Sequence, residues 1–420
     1  MDFNTFRSHL KQVAPSGVLK IGDIGKLQAR TGLSSSGVRH WIAKFKKDGK
    51  IEKELKPVDL KKEASVLPDY QVQRLKEHNA SLRTQLKLTN RELAVEELIR
   101  TELKSLKPLT PVKLATIPAG KGKIEEDLVM HLSDEHADQV VLPHRVGGLE
   151  EYNFRVAMAR AETYVDTVLD FTMKTLSNYH FNTLWILAYG DHVSGEIHDA
   201  TDDSEYRNAI RNALAVGQMH ACMIRDLAPH FAQVKVVYLS GNHGRRSQKK
   251  NYRRPWDNWD YLVAETAAGV LRDQENVEFL VPDAYSANIE INGYTFNLSH
   301  GDDIKSWNSL PFYGIERQSR RLTSLHAAQG RQIHYFCRGH FHTLSTMQNP
   351  GGETLLNGSW PATDEYCYEA LGAYHTPMQL IHGVHEKHGV TWRLPVYLKS
   401  ENDSKGPKRY AVKLAEEDCV

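Results

Sequence analysis

The chain has 420 residues, of which 40% are hydrophobic and 25% are charged. These values are ordinary for a soluble globular protein, and the length predicts more than one domain. No apolar run is long enough to cross a membrane, and the first residues lack the basic-then-apolar layout of a secretory signal. Four scattered cysteines without Cys-x-x-Cys spacing favour reduced thiols, so we expect a cytoplasmic protein.

The net charge of +1 is divided unevenly along the chain. Residues 1–107 carry 22 Lys and Arg against 13 Asp and Glu, a net charge of +9, whereas the remainder carries −8. This asymmetry indicates an N-terminal region that meets a polyanion and a larger body with another task. A solvated basic face without a partner is the alternative.

Residues 1–60 are predicted to form a small domain with a helix-turn-helix. A helix at Ile24–Arg30 is followed by a turn at Thr31–Ser34, and a second helix covers about Ser35–Lys47. One face of the second helix is apolar, and the other is suited to phosphates and base edges. The candidate DNA contacts on that polar face are Ser36, Arg39, His40, Lys46 and Lys47. A helical pair that binds another protein is the alternative.

Residues 61–125 are predicted as a linker and a long helix, Tyr70–Leu106, with heptad character. The a and d positions of this helix are Val72, Leu75, Asn79, Leu82, Leu86 and Leu93. Asn at an a position suits a parallel pair of helices, so this helix favours a homodimer. Packing of the helix on its own chain is the alternative. Three prolines after the helix place a domain boundary near 108–125.

From residue 126 the sequence alternates between strands and helices, which predicts an α/β (α+β) domain over 126–400 and a charged tail over 401–420. The predicted strands are Leu128–Leu132, Thr183–Tyr189, Val234–Leu239, Tyr294–Leu298, Ile333–Cys337, Glu353–Leu356 and Thr391–Tyr397. The predicted helices are 152–179, 204–228 and 257–274. His, Asp or Asn follows most of these strands. Because ligands bind at the carboxyl ends of strands in open α/β sheets, we expect these polar groups to converge there.

Five motifs at these strand ends carry the chemistry. They are Asp134-x-His136, Gly190-Asp191, Gly241-Asn242-His243, His300 and Gly339-His340-x-His342. In this order and spacing the motifs resemble the calcineurin-like metallophosphoesterase superfamily over about residues 126–360. The resemblance implies two packed mixed β-sheets flanked by helices. With the helix-turn-helix in front, the layout also resembles phage-encoded phosphoesterases associated with DNA, which implies a bacterial or phage-infected host cytoplasm.

The resemblance implies a centre of two divalent metal ions. It assigns the first metal to Asp134, His136 and His342, the second to Asn242, His300 and His340, and the bridging position to Asp191. Mixed carboxylate, imidazole and amide ligands suit Mn²⁺, which we favour, and also Zn²⁺, Fe and Mg²⁺. The implied reaction is attack of a metal-bridging hydroxide on phosphorus, with His243 as the general acid. His340 and His342 can both face the metals only if Phe341 points away or the backbone bends.

The residue after His243 departs from the family pattern. The family commonly has an acidic residue there that orients the histidine, whereas this chain has Gly244. Asp302 or Glu135 is the expected replacement. Glu196 and His198, after the second motif, are further candidates for substrate contact, with a plain surface role as the alternative.

A basic loop follows Gly244 and is flanked by Trp256 and Trp259. The candidate substrate-binding residues of the chain are Arg245, Arg246, Lys249, Lys250, Arg253, Arg254 and His198. Cations and aromatic rings beside a phosphoryl-transfer site suit a nucleic-acid backbone and its bases. Neutralisation of a small phosphorylated substrate, or a solvated loop, are the alternatives.

Together these features predict a dinuclear-metal-dependent phosphodiesterase, a nuclease acting on DNA, without a membrane partner. Two alternatives stay open. One is a phosphomonoesterase acting on a small molecule or a protein. The other is a DNA-binding regulatory or assembly protein in which the phosphoesterase body is secondary.

Overall fold

The computed structural model describes residues 3–13, 23–34, 37–42, 69–113, 122–197, 204–305, 311–349, 352–412 and 414. The chain divides into two compact units, Met1–Glu96 and Glu97–Val420. This division lies earlier than the boundary predicted near 108–125. Within the second unit, the Leu109 N–H donates to the Val270 carbonyl over 3.1 Å. The Val112 N–H likewise donates to Gln274 Oε1 over 3.1 Å, so residues 109–112 are bound to the body.

The N-terminal part of the first unit contains two short helices and a third helical stretch around one small core. Helix α1 is Phe3–Val13, α2 is Asp23–Thr31, and residues 37–42 are helical. The apolar side chains that form the core are Phe6, Leu10, Leu27, Val38 and Ile42. Between α2 and the third stretch, Gly32 has a φ of +66°, a conformation that glycine adopts readily. Ser34 Oγ then accepts from the Gly37 N–H over 3.2 Å, as an N-cap does.

Only part of the predicted DNA-binding face is described. Arg39 and His40 are exposed. Ser36, Lys46 and Lys47 lie outside the described residues, as do residues 43–68, which include the predicted linker before the long helix.

Helix α3, Asp69–Ser105, is the predicted long helix. Its leucines are exposed to roughly half their surface, and those on the predicted heptad are Leu75, Leu82, Leu86 and Leu93. Asn79 is also exposed. The side chain of Val72 lies outside the described residues.

The second unit contains eleven strands and five further α-helices among its described residues. The strands are β1 Ile124–Leu132, β2 Tyr179–Tyr189, β3 Gln233–Leu239, β4 Val277–Leu280, β5 Ser286–Ile291, β6 Tyr294–Ser299, β7 Tyr335–Arg338, β8 Ser345–Asn349, β9 Gly352–Leu356, β10 Met378–His385 and β11 Gly389–Tyr397. The helices are α4 Phe154–Asp170, α5 Ala209–Leu227, α6 Trp259–Val270, α7 Phe312–Ala327 and α8 Asn402–Lys405.

These strands form two mixed sheets. The first sheet has the order β11-β10-β1-β2-β3-β4. Strands β1 to β4 run parallel to one another, and β10 is antiparallel to both of its neighbours, β1 and β11. The second has the order β5-β6-β7-β9-β8, in which β6, β7 and β9 run parallel. The sheets pack face to face, because one buried cluster joins apolar side chains from both, such as Leu187 and Val237 with Phe296 and Leu355. Two mixed sheets flanked by helices confirm the predicted fold class.

The structure differs from the sequence prediction in several elements. The helix predicted over 152–179 ends as an α-helix at Asp170, followed by a π-helical turn, Phe171–Thr175. The strands β4, β5, β8 and β10 were not predicted. The charged tail predicted over 401–420 is wrong for residues 402–410. Glu162 accepts backbone N–H groups of Lys408, Arg409 and Tyr410 there, and Tyr410 is buried.

Candidate metal centre

The predicted site residues lie at the carboxyl ends of five strands. Asp134 and His136 follow β1, Asp191 follows β2, Asn242 and His243 follow β3, His300 follows β6, and His340 and His342 follow β7. Strands β1, β2 and β3 are parallel neighbours in the first sheet, and β6 and β7 are parallel neighbours in the second. Because the two sheets pack together, the strand ends of both sheets meet at one edge.

The backbone at this edge is strained. Seven non-glycine residues in the described ranges have a positive φ, and five of them are predicted metal ligands. These five are Asp134 (54°), His136 (42°), Asp191 (55°), His340 (69°) and His342 (53°). Such conformations cost on the order of 1–3 kcal/mol each and cluster at functional sites. The strain therefore marks this edge independently of the sequence motifs.

The bend at His340 and His342 answers the question of how both imidazoles reach the site. Both residues have left-handed backbone, so the chain does not continue as an extended strand there. Phe341 points into an apolar cluster with Ile304 and Ile315 instead. The His340 N–H donates to Asp134 Oδ1 over 2.7 Å, which fixes the bend against the end of β1.

The side chains form two groups that match the predicted pair of metal sites. Within each group the ligand atoms lie within 4.8 Å of one another, and the groups are Asp134, His136 and His342, and Asp191, His300 and His340. A third group contains His136, Asp191 and His243, so Asp191 belongs to both sides of the site. Asn242 Oδ1 is buried and has no hydrogen-bond partner among the described residues. A cation would satisfy that oxygen.

The pKa values of the two site carboxylates, Asp134 and Asp191, are shifted in opposite directions. Burial raises the pKa of Asp134 to about 6, against the opposing effect of His300. Burial also raises the pKa of Asp191, but His300 and His243 outweigh it and hold that pKa well below its usual range. His300 Nε2 lies 2.9 Å from Asp191 Oδ2. Although burial opposes it, this carboxylate raises the pKa of His300 to about 10.

Three candidate metal-binding imidazoles, His136, His340 and His342, are held neutral. Burial lowers the pKa of His342 to about 3 and that of His340 to about 4, and it lowers the pKa of His136 well below its usual range. A metal ligand must be deprotonated, so these three rings present lone pairs at neutral pH. Carboxylate, amide and neutral imidazole donors around one buried space fit divalent cations.

His243 lies between the metal ligands and the basic loop. The backbone N–H of His243 donates to Asp191 Oδ1 over 2.8 Å. The His243 ring contacts the His136 ring edge-on, with 4.6 Å between the ring centroids. Its Nδ1 lies 3.4 Å from the carbonyl oxygen of Ser194, which is placed to accept a hydrogen bond from it. That carbonyl was not anticipated from the sequence.

The two carboxylates expected to replace the missing acidic residue are engaged elsewhere. Asp302 accepts from Lys250 Nζ over 2.6 Å. Glu135 lies 2.6 Å from His220 Nε2 and 3.3 Å from His192 Nδ1, inside the body. Both bind other side chains rather than standing ready to orient His243.

Gly244 has no room for a side chain. A Cβ atom there would lie 2.1 Å from Asn258 Oδ1 and 3.0 Å from Asp260 Cγ. Asn258 is the N-cap of α6, where its side chain accepts from the Asp260 N–H over 2.8 Å and donates to the Gly241 carbonyl over 2.9 Å. The first turn of α6 therefore fills the space that an acidic residue at position 244 would need.

Asp260 is a site residue that the sequence analysis missed. Its buried Oδ2 accepts the N–H groups of Asp191 over 3.0 Å and Gly241 over 2.8 Å, and its Oδ1 accepts the His192 N–H over 3.1 Å. One carboxylate thus ties the end of β2 to the end of β3. The only sequence signal was an acidic residue in the first turn after an Asn N-cap.

The basic loop is fixed to the body by three of its cations. Lys250 and Arg245 lie 2.6 and 4.0 Å from Asp302, and Arg246 lies 2.9 Å from Asp257. The remaining cations are exposed, and they are Lys249, Arg253 and Arg254.

The aromatic side chains of the loop differ from expectation. Tyr252 and Trp256 are 70% and 47% exposed. Trp259 is buried instead, because it begins α6 and its Nε1 donates to Glu196 over 3.2 Å. Glu196 is thus exposed and accepts a hydrogen bond from the first residue of α6. His198 lies outside the described residues.

A segment without predicted chemistry, residues 364–375, lies on the other side of the site. The His375 ring meets the His342 ring at 5.9 Å between centroids. Asp364, at the start of the segment, accepts from Gln139 Nε2 over 3.1 Å, three residues after His136. A lone histidine and a few tyrosines carry no motif, so only the fold shows that they border the metal ligands.

Comparison of the sequence with protein-family models and with curated proteins gives no match. Solved structures that are similar include an archaeal phosphodiesterase, at 13% identity and a TM-score of 0.30, covering 64% of this chain and 99% of that one. Vps29 of Entamoeba histolytica complexed with zinc has 14% identity and a TM-score of 0.27, covering 65% and 99%. A predicted phosphoesterase of Streptococcus pneumoniae has 10% identity and a TM-score of 0.25, covering 65% of this chain and 98% of that one. At these TM-scores the likenesses carry no argument about chemistry.

None of the helices in the described part of the chain is long and apolar enough to span a membrane.

Proposed function

We propose that this chain is a metal-dependent phosphodiesterase that hydrolyses DNA. The observation that carries the proposal is the two ligand groups on strained strand ends, which a third group containing His136 and Asp191 connects. A purely structural polar cluster would satisfy its own hydrogen bonds, whereas Asn242 Oδ1 is buried here without a partner among the described residues.

The donor set fits two divalent ions, of which Mn²⁺ is our first choice. Asp134, His136 and His342 would hold one ion, and Asn242, His300 and His340 the other, with Asp191 between them. Such ions supply a hydroxide nucleophile at neutral pH and neutralise the charge that develops on a phosphoryl group. Binding requires that His300, whose pKa is raised to about 10, gives up its proton.

The protein's own groups supply the remaining tasks. His243 is placed to protonate the leaving oxygen, because its ring borders the ligand groups and Ser194 O can accept from its other nitrogen. The exposed cations Lys249, Arg253 and Arg254 extend from the His243 side and suit a phosphate backbone. A chain of phosphates is the ligand that this arrangement favours over a single phosphomonoester.

The N-terminal unit supplies a separate DNA contact in this proposal. Arg39 and His40 are exposed on the helical stretch 37–42, and residues 1–107 carry a net charge of +9. The exposed leucines of α3 support a homodimer through that helix, because a solvated helix rarely carries such a row of large apolar side chains.

A hydrolysis assay with the full-length protein tests the proposed activity. Protein reconstituted with Mn²⁺, Zn²⁺ or Mg²⁺ is given bis(p-nitrophenyl) phosphate, p-nitrophenyl phosphate, and single- and double-stranded DNA. We expect cleavage of the diester and of DNA, with the Asp191→Asn protein inactive because one shared negative charge is lost. Cleavage of the monoester alone would contradict the proposal and favour a phosphomonoesterase.

Salt dependence of DNA binding tests the proposed role of the N-terminal unit. Each lost phosphate contact lowers the slope of log affinity against log salt by about 1. Arg39→Ala should therefore weaken binding and flatten that slope, with diester hydrolysis unchanged. Arg91→Ala on α3 is the matched control. If the slope of log affinity against log salt equals that of the unaltered protein, Arg39 does not contact DNA phosphates.

A further inference from the structure

Two surfaces of opposite charge border the candidate metal centre. The first, residues 245–254, is the basic loop, with six Lys and Arg and no acidic residue. The second is the tyrosine segment, which we define as residues 364–375, with three acidic residues and no Lys or Arg. A polyanion meets attraction on one side of the site and repulsion on the other.

A row of four imidazole rings fixes the positions of these two surfaces. Ring centroids are 4.6 Å apart for His243 and His136, 5.3 Å for His136 and His342, and 5.9 Å for His342 and His375. The basic loop leaves the row at the His243 end, and the tyrosine segment ends at His375. The row therefore begins beside the basic loop and ends in the tyrosine segment, with the candidate metal ligands His136 and His342 between.

The tyrosine segment offers uncharged planar surface. Tyr366 and Tyr374 are 68% and 49% exposed, and Leu371 between them is also exposed. The segment is held in place rather than free, because Asp364 Oδ1 accepts from the Cys367 N–H over 2.7 Å and the His375 N–H donates to the Ala362 carbonyl over 2.7 Å.

Asp364 is the acidic group of the segment that lies deepest in the protein. Burial raises the pKa of Asp364, but hydrogen bonds from Cys367 and Gln139 outweigh it and hold that pKa below its usual value. Glu365 lies 3.7 Å from Arg145, which offsets one of the three charges. Glu369 is exposed. The segment thus keeps a negative character beside His342.

We propose that the site accepts the end of a DNA strand, with the terminal nucleoside against the tyrosine segment and the remaining phosphates along the basic loop. This inference rests on the proposed phosphodiesterase function and adds that cleavage is end-directed. A nucleoside is uncharged and its base is planar, so the base suits aromatic rings and the nucleoside tolerates nearby carboxylates. An internal stretch would have to carry further phosphates across the acidic segment.

The reaction is hydrolysis of the terminal linkage. The oxygen of water forms the new bond to phosphorus, and the bond from phosphorus to one sugar oxygen breaks. That sugar oxygen takes a proton, and the products are a released terminal unit and a strand shortened by one unit.

Circular and linear DNA of one sequence test the proposal. The full-length protein with Mn²⁺ is given a linear single strand and its covalently closed circle, with bis(p-nitrophenyl) phosphate as a separate substrate. We expect stepwise release of terminal units from the linear strand and cleavage of the circle at least about 100-fold slower. Equal cleavage of both forms would overturn end-directed action and leave the phosphodiesterase function standing. Failure on the small diester as well as on both DNAs would overturn the phosphodiesterase function itself.

Substitution of the exposed tyrosines tests the nucleoside contact. Base stacking on an aromatic ring changes binding by roughly tenfold or more, so Tyr366→Ser with Tyr374→Ser should raise KM for the linear strand about 10-fold. Because both side chains are exposed, we expect the double variant to fold normally. Tyr397→Ser, at a tyrosine 59% exposed on β11, is the matched control and should leave KM unchanged. A KM within twofold of the unaltered protein in the double variant would remove the tyrosine segment from the substrate site.

Discussion

The Asp260 carboxylate offers the sharpest test of how the metal centre is positioned. Its two oxygens accept three backbone N–H groups, from Asp191 and Gly241 on Oδ2 and from His192 on Oδ1. In Asp260→Asn only one oxygen remains, so whichever way the amide turns, at least one N–H faces an NH₂ group. The other bonds lose their charged acceptor.

The size of the effect follows from these contacts. A hydrogen bond to a charged group contributes about 1.5–3 kcal/mol, so losing one bond should open the affected turn roughly 10- to 150-fold more often. Hydrogen exchange of the peptides that contain Asp191, His192 and Gly241 measures that opening directly. Diester hydrolysis should fall about 100-fold, because a displacement near 1 Å at a catalytic group has that cost.

Asp257→Asn is the matched control for this experiment. Asp257 precedes the same helix but binds Arg246 near the surface, so its loss should change exchange at the β2 and β3 turns by less than twofold. The positioning role of Asp260 would be refuted if Asp260→Asn exchanged these amides as slowly as the control and hydrolysed the diester at the same rate.

Three further substitutions have defined outcomes. His243→Ala should keep its metal content, measured by elemental analysis, while turnover falls roughly 10²–10⁴-fold, and loss of metal would contradict the division of roles. Gly244→Asp should lower both thermal stability and hydrolysis, because Asn258 Oδ1 occupies the space, and a faster enzyme would show this reasoning to be wrong. Arg160→Met removes the buried cation 3.1 Å from the Glu150 carboxylate and leaves it with the half-exposed Lys399 at 3.6 Å, so urea denaturation should show a loss of about 3–5 kcal/mol, and a loss below 1 kcal/mol would count against it.

The ligand groups could be anticipated from the sequence because their signal is local. Asp134, Asp191 and His300 each follow an apolar strand, and strands of this kind bring their carboxyl ends to one edge. The two packed mixed sheets are implied by the resemblance of the five motifs, whereas the strand pattern predicts only an α/β (α+β) domain. The bends at His340 and His342 could be stated as a requirement but not located, because backbone strain depends on what holds it.

The missed features depend on contacts between distant parts of the chain. Asp260 gains its role only when the ends of β2 and β3 lie beside α6. His375 borders the site only because the fold places its ring beside that of His342. The C-terminal residues pack on the body because Glu162 accepts their backbone N–H groups. Composition predicted a solvated tail there, since charge runs usually are solvated, and the tertiary hydrogen bonds override that tendency.

The close fit between Gly244 and the first turn of α6 constrains the order in which substitutions can accumulate. An acidic side chain at position 244 is excluded while Asn258 caps the helix, and removing Asn258 first exposes the helix end and frees the Gly241 carbonyl. Each single change is therefore harmful, although the pair together need not be. A carboxylate at position 244 therefore requires a compensating change at position 258.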